Sequence, residues 1–239
     1  MITVISSFHN ESENCNSFLK MIEEASTFLP IDQLVVVDNG SLDETYQKLI
    51  DLKSSKFEIL VIKNPLLSKY GDGFHKAFQN SKNEFVLTLH SDLQYDLVDF
   101  VKNNLTLIKL CIKSETNIFP TRTNRPLFVE IRSCLFRFLL SLIYLTNFKD
   151  FNGHPKLLIK KDFLKMRFFC SSFAYDLSLF YYLKKTNKKI NVSCKTMETT
   201  RAYGESSWNK NFFSQFIELF NNINDLRKFK IYNFTNRQL

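Results

Sequence analysis

Short apolar runs alternate with longer segments of helical period through the first hundred residues. The runs at residues 2–6, 34–37, 57–62 and 85–89 are rich in Val, Ile and Phe, are bounded by polar turns, and predict strands. Between them, residues 13–28, 43–52 and 75–82 predict helices. The second of these is preceded by Ser41-Leu42-Asp43-Glu44, the Ser-x-x-Glu spacing of a capping box. Such alternation predicts an α/β fold with a mostly parallel central sheet flanked by helices on both faces. Ligands of such sheets bind beyond the carboxyl ends of the strands. The unusual polar residues fall there: His9-Asn10-Glu11, then Asp38-Asn39-Gly40-Ser41, then His90-Ser91-Asp92.

The second half is less regular. Residues 127–146 predict one long helix whose Glu130, Ser133, Arg137 and Ser141 form a narrow polar stripe, with Leu, Ile, Phe and Tyr over the rest of the circumference. Such a helix is either buried in the core or rests in a membrane interface, with Arg132 and Arg137 near lipid phosphates. Further on come a strand near residues 156–159, a helix over 175–185, a strand near 190–194 and a terminal helix from Trp208. No repeat or linker interrupts the chain, so residues 1–239 are expected to form a single domain.

Composition narrows the class. The chain of 239 residues is 44% hydrophobic with 25 Phe, enough for a core, which excludes a disordered or collagen-like chain. Its five cysteines are widely spaced without a Cys-x-x-Cys pair, as suits a reduced, cytoplasmic setting. The N-terminus does not read as a signal peptide, and no apolar run reaches the roughly 20 residues of a membrane span. The net charge of +8 conceals an asymmetry about Phe119. Residues 1–119 carry 11 basic and 16 acidic side chains, whereas residues 120–239 carry 21 basic and 8 acidic ones, and every arginine lies in the second part. A basic, arginine-bearing half suits an anionic ligand or membrane surface, or is simply a solvated face. No compact basic run interleaved with aromatics points to nucleic acid.

Four elements then occur in order: Ser7-Phe8-His9-Asn10-Glu11; Val35-Val36-Val37-Asp38-Asn39-Gly40-Ser41-Leu42-Asp43-Glu44-Thr45; Gly71-Asp72-Gly73; and His90-Ser91-Asp92-Leu93-Gln94. In these the sequence resembles the family-2 glycosyltransferases of the GT-A fold, most closely the branch of dolichol- and polyprenol-phosphate sugar transferases. That family reads Pro-x-Tyr-Asn-Glu, Val-Val-Asp-Asp-Gly-Ser-x-Asp-x-Thr, Gly-x-Gly and Asp-x-Asp-Leu-Gln. The resemblance covers residues 2 to 96, with a weaker continuation at Arg122, Asp150-Phe151-Asn152-Gly153 and Arg201-Ala202-Tyr203-Gly204-Glu205-Ser206.

The resemblance implies a single GT-A, Rossmann-like domain in which residues 1–119 bind a nucleotide sugar and residues 120–239 face the acceptor and membrane. Asn10, Glu11, Asp38, Gly40, Ser41, Gly71, Gly73, His90 and Ser91 would form the nucleotide-sugar site. Asp92, Gln94 and His90 would hold Mg2+ or Mn2+, with Asp92 and Arg201 serving catalysis and Arg122 and Arg132 receiving an acceptor phosphate. The implied activity is inverting transfer of a sugar from a UDP- or GDP-sugar to a polyprenol phosphate or lipid-linked glycan, in cell-envelope glycan synthesis, by a cytoplasmic protein held peripherally at the membrane.

Departures from the pattern leave alternatives. His90 stands at the first Asp of Asp-x-Asp, as a metal ligand, a hydrogen-bond donor or a strand-end residue; imidazole suits Mn2+ better than Mg2+. Asn39 replaces an Asp, and Ser7 and His9 replace Pro and Tyr. These changes admit a catalytically weakened relative that binds donor as a partner subunit. Asp38 to Ser41 also reads as a helix-capping turn. Asp176 is either an acid at a helix start or a general base, and Asp150 is open to the same readings. His75 and His154 read as surface or turn residues.

Overall fold

The computed structural model describes residues 1–66, 68–201 and 212–235. The four apolar runs form β1 (Ile2–Phe8), β2 (Ile31–Asp38), β3 (Glu58–Lys63) and β4 (Phe85–Thr88). All pair in parallel, in the order β3-β2-β1-β4. The intervening helices are α1 (Cys15–Ala25), α2 (Thr45–Asp51) and α3 (Tyr70–Gln79), followed by α4 (Leu97–Lys113).

Alternation along the strands sends side chains to both faces. Val4, Leu34 and Val36 pack with Phe18, Ile22, Leu49, Val101 and Ile108 of α1, α2 and α4. Ile5, Val35 and Val37 pack on the other face with Phe74 and Ala77 of α3 and with residues from the second half of the chain.

That second half continues the sheet. It comprises β5 (Asn117–Ile118), β6 (Thr121–Thr123), α5 (Leu127–Tyr144), β7 (Lys156–Ile159), α6 (Ala174–Lys185), β8 (Ile190–Asn191), β9 (Lys195–Met197) and α7 (Phe212–Phe234). Strand β7 runs antiparallel between β4 and β5, and β8 closes the far edge in parallel with β5. The full order is β3-β2-β1-β4-β7-β5-β8, beside a two-stranded parallel ribbon of β6 and β9. The expected α/β architecture with a mostly parallel, two-faced sheet is thus present.

Three local expectations are corrected. Helix α3 begins at Tyr70, so Gly71 and Gly73 lie in its first turn rather than in a loop. No capping box forms at Ser41; Asp43 instead accepts hydrogen bonds from the backbone and hydroxyl of Thr45, the first residue of α2. The expected strand over 190–194 is confined to β8 at Ile190–Asn191, and a separate β9 begins at Lys195 and joins the other sheet. The expected start of the last helix at Trp208 lies outside the described residues.

Candidate active site

Strands β1, β2 and β4 all point their carboxyl ends to one edge, and the chain folds back on itself there. The backbone N–H of Asn10 donates to Ser41 Oγ at 2.9 Å, that of Leu42 to Asn10 Oδ1 at 2.8 Å, and that of Glu11 to Thr45 Oγ1 at 2.9 Å. Ser91 Oγ donates to the carbonyl of Ser7 at 3.0 Å, tying the end of β4 to that of β1. Segments 84 residues apart in sequence are thereby fixed against one another.

Two carboxylates converge in this cluster on one guanidinium. Arg201 Nη2 lies 3.1 Å from Asp92 Oδ2, and its Nη1 lies 3.6 Å from Glu11 Oε1. Burial and the neighbouring Asp92 raise the pKa of Glu11, while Arg201 opposes the shift. The backbone N–H of Gln94 donates to Asp92 Oδ1 at 3.2 Å, and Gln94 Nε2 reaches the carbonyl of Thr199 at 3.3 Å. Gln94 therefore orients Asp92 through its main chain and fastens the segment leading to Arg201 through its side chain.

Asp38 ends β2 fully buried. Its Oδ1 accepts from the backbone of Ser41 at 3.2 Å, while its Oδ2 has no hydrogen-bond partner among the described residues. A buried acceptor left open at a strand end suits a ligand donor. Asn39 is engaged within the protein: its amide donates to the carbonyl of Lys69 at 2.8 Å, and its oxygen accepts from Asn64 Nδ2 at 3.0 Å. Gly40 has φ +79°, the left-handed region that glycine adopts without strain. The spaces beside Gly71 and Gly73 are filled by the chain itself. A Cβ at Gly73 would stand 2.1 Å from Ser7 Oγ, and one at Gly71 would stand 2.1 Å from the carbonyl oxygen of Cys170. These two glycines let α3 pack on β1 and on the segment before α6, which accounts for them without close approach of a ligand.

His90 leads into a buried polar chain that the sequence reading did not assemble. Tyr70 Oη donates to Asp176 Oδ2 at 2.8 Å and lies 3.2 Å from His90 Nε2. Asp176 Oδ1 lies 3.0 Å from Lys156 Nζ, which is 2.6 Å from His154 Nε2. Desolvation pushes His90 down to about 3 and His154 to about 4, so both rings are neutral at pH 7. Desolvation also brings Lys156 down to about 8 against the attraction of Asp176, whose own pKa is lowered chiefly by Lys156 in opposition to burial. Asp176 is thus held as an anion by an internal cation.

His154, read above as a surface or turn residue, is completely buried; its Nδ1 lies 3.2 Å from the carbonyl oxygen of Thr88. The one sequence signal for this network is Lys156, a charge opening an otherwise apolar strand. His90, His154 and Asp176 also lie close enough together to ligate one ion. Lys156 Nζ already stands among them and would have to shift or lose its proton to admit one.

On the acceptor side, Arg122 is committed to its own neighbours. Its Nε and Nη2 each lie 2.9 Å from Asp150 oxygens, and its Nη1 lies 3.4 Å from Glu198. Asp150 also accepts from the Arg122 backbone at 3.0 Å, and its pKa is lowered by Arg122 despite burial. The two residues are one brace joining β6 to the loop before β7, in place of a free phosphate arm and a free base. Arg132 is exposed on α5. The stretch Ala202 to Ser206 of the weaker resemblance lies outside the described residues.

Residues 3–100 match the model of glycosyl transferase family 2. That span contains β1 to β4 together with Glu11, Asp38 and Asp92, and the fold is of the GT-A type. Glucosyl-3-phosphoglycerate synthase from Mycobacterium tuberculosis, in complex with Mn2+, UDP and glucosyl-3-phosphoglycerate, superposes with a TM-score of 0.68 at 16% identity, covering 100% of this chain and 83% of that one. The same enzyme with Mn2+, UDP and phosphoglyceric acid gives 0.69 at 16% identity, covering 100% and 81%. Its complex with Mn2+ and UDP-glucose gives 0.67 at 16%, covering 100% and 82%. No curated protein matches the chain in sequence.

Proposed function

We propose that the protein transfers a sugar, with inversion, from a UDP- or GDP-sugar to a polyprenol phosphate or lipid-linked glycan, using Mg2+ or Mn2+ and working peripherally at the cytoplasmic face of a membrane. The observation that carries this reading is the convergence of Glu11 and Asp92 on Arg201 at the carboxyl edge of the sheet. Two carboxylates with hard oxygen donors suit a divalent ion better than an isolated acid does. The family-2 segment and the UDP and Mn2+ of the structurally similar synthase support the donor and the metal.

In this reading Asp38 accepts a hydrogen bond from the base or ribose through its open Oδ2, and Asn10 and Ser41 shape the pocket rim. Asp92 holds the metal, with Gln94 fixing its rotamer. When bound, the ion neutralises the departing diphosphate. Arg201 turns from Asp92 toward the phosphates and stabilises the same developing charge. His90 is a neutral ring beneath the sugar, positioned by Tyr70 and Asp176. Asp176, held by Lys156, serves to position these groups; an ionised acceptor phosphate needs no general base. Residues 1–119 contribute the donor half and residues 120–239 the acceptor half of one domain.

A second acceptor reading is a small phosphorylated acid, favoured by the phosphoglyceric acid bound to the similar synthase. A weakened relative would bind donor without turnover. Thermal stabilisation by UDP- and GDP-sugars, with Mn2+, Mg2+ or chelator, tests the donor site. A metal-dependent shift with one donor, lost in Asp92→Ala, is expected; a shift of equal size in that variant would overturn the metal assignment. Transfer assays on polyprenol phosphate and on phosphoglyceric acid then separate the acceptors.

A further inference from the structure

Helix α5 is inside out. At helical period, Glu130, Ser133, Arg137, Leu140, Ser141 and Tyr144 form one stripe, and that stripe faces the protein. Arg125, whose side chain is only 8% exposed, donates to Glu130 at 2.9 Å and to Ser133 at 3.1 Å. Arg137 pairs with Glu130 at 3.0 Å, and Ser141 Oγ accepts from the backbone of Phe148 at 3.1 Å. Leu140 and Tyr144 are buried in the same direction, Tyr144 bonding the carbonyl of Ile223 in α7. The opposite stripe, Phe128, Ile131, Leu135, Phe138, Leu142 and Leu145, is 57–85% exposed. A helix that turns Glu130 and Arg137 inward and its largest apolar groups outward, with exposed Arg132 to one side, is suited to an apolar exterior.

We infer that α5 lies in the plane of an anionic lipid leaflet, with the Phe128-to-Leu145 stripe buried in it. This deepens the acceptor reading above and rests on that reading for a lipid surface. Charge complementarity selects the occupant. The outer stripe carries no acid, and residues 120–239 hold 21 basic against 8 acidic side chains. Pairing two copies through α5 would bring two such halves together, whereas an anionic leaflet neutralises one. Exposed Lys149 flanks the apolar stripe, and with Arg137 and Phe138 it lines a shallow cleft at the C-terminal end of the helix, suited to a lipid phosphate. No helix among the described residues is long and apolar enough to cross a membrane, so α5 rests on the surface.

The test is flotation of the full chain with vesicles of phosphatidylcholine alone or mixed with phosphatidylglycerol. The wild type is expected to float with the mixed vesicles, and Leu135→Asp/Leu142→Asp to lose this by roughly tenfold or more, since two exposed leucines no longer enter the lipid. Ile131→Asp serves as an independent variant, and melting curves verify that each is folded. Failure of the wild type to float, or equal flotation of the folded variants, overturns the inference. So does a dimer in vesicle-free solution that these substitutions convert to monomer, which would make a second copy the occupant. UDP-sugar stabilisation, measured on the same proteins, reads the donor site separately: its absence beside intact flotation would sink the enzymatic reading and leave α5 at the membrane.

Discussion

Arg201 gives the cluster its character at the scale of single residues. It occupies both carboxylates that would otherwise attract a free ion, so metal and guanidinium compete for Asp92. Replacing Arg201 with Ala is expected to strengthen Mn2+ binding in the absence of nucleotide, as read by electron paramagnetic resonance. The same change is expected to weaken UDP binding by roughly tenfold or more, the worth of one charge-assisted hydrogen bond. Weaker Mn2+ binding in the variant would show that Arg201 organises the site for the metal. Much of this site was legible in the sequence, because Glu11, Asp38 and Asp92 each follow an apolar run that could only be a strand. What was not legible was pairing. That Arg122 is spent on Asp150, or that Tyr70 reaches Asp176 across 106 residues, depends on tertiary contacts that no local spacing encodes.

Among elements, the buried chain of Tyr70, Asp176, Lys156 and His154 couples α3, α6 and β7. Removing one partner of a buried ion pair strands the other, so Asp176→Ala should destabilise the fold by about 3–5 kcal/mol in chemical denaturation. His154 adds a pH dependence. Its folded pKa of about 4 lies below the ordinary 6.5, so the unfolded chain takes up the proton first. The stability that neutral His154 contributes is therefore present above pH 6.5 and lost as pH falls toward 4, up to about 3 kcal/mol. Urea unfolding of wild type and His154→Asn across that range should show a shallower slope in the variant. Long periodic elements such as β1, β2 and α6 were readable in advance, whereas β5, β6 and β9, of two or three residues each, exist only because neighbours offer them hydrogen bonds. The start of α3 was misplaced because Gly71 and Gly73 read as a loop, when their lack of side chains is what lets the helix approach β1 at Gly73 and the segment before α6 at Gly71.

For the whole molecule, the charge asymmetry separates an acidic half that presents the cluster from a basic half that carries α5. If lipid contact combines apolar burial with attraction of that basic half, added salt should weaken vesicle association without abolishing it, because screening acts on the charges alone. Complete release by salt would mean that α5 contributes nothing.

The antiparallel strand β7 also dictates how the chain can be made. By residue 88 the ribosome has delivered β1 to β4, but the outer edge of β4 finds its partner only when residues 156–159 emerge. For some seventy residues of synthesis that edge is an open template for any extended chain nearby. A fragment ending near residue 100 would keep that edge bare permanently, so the first four strands are expected to aggregate when expressed without β7.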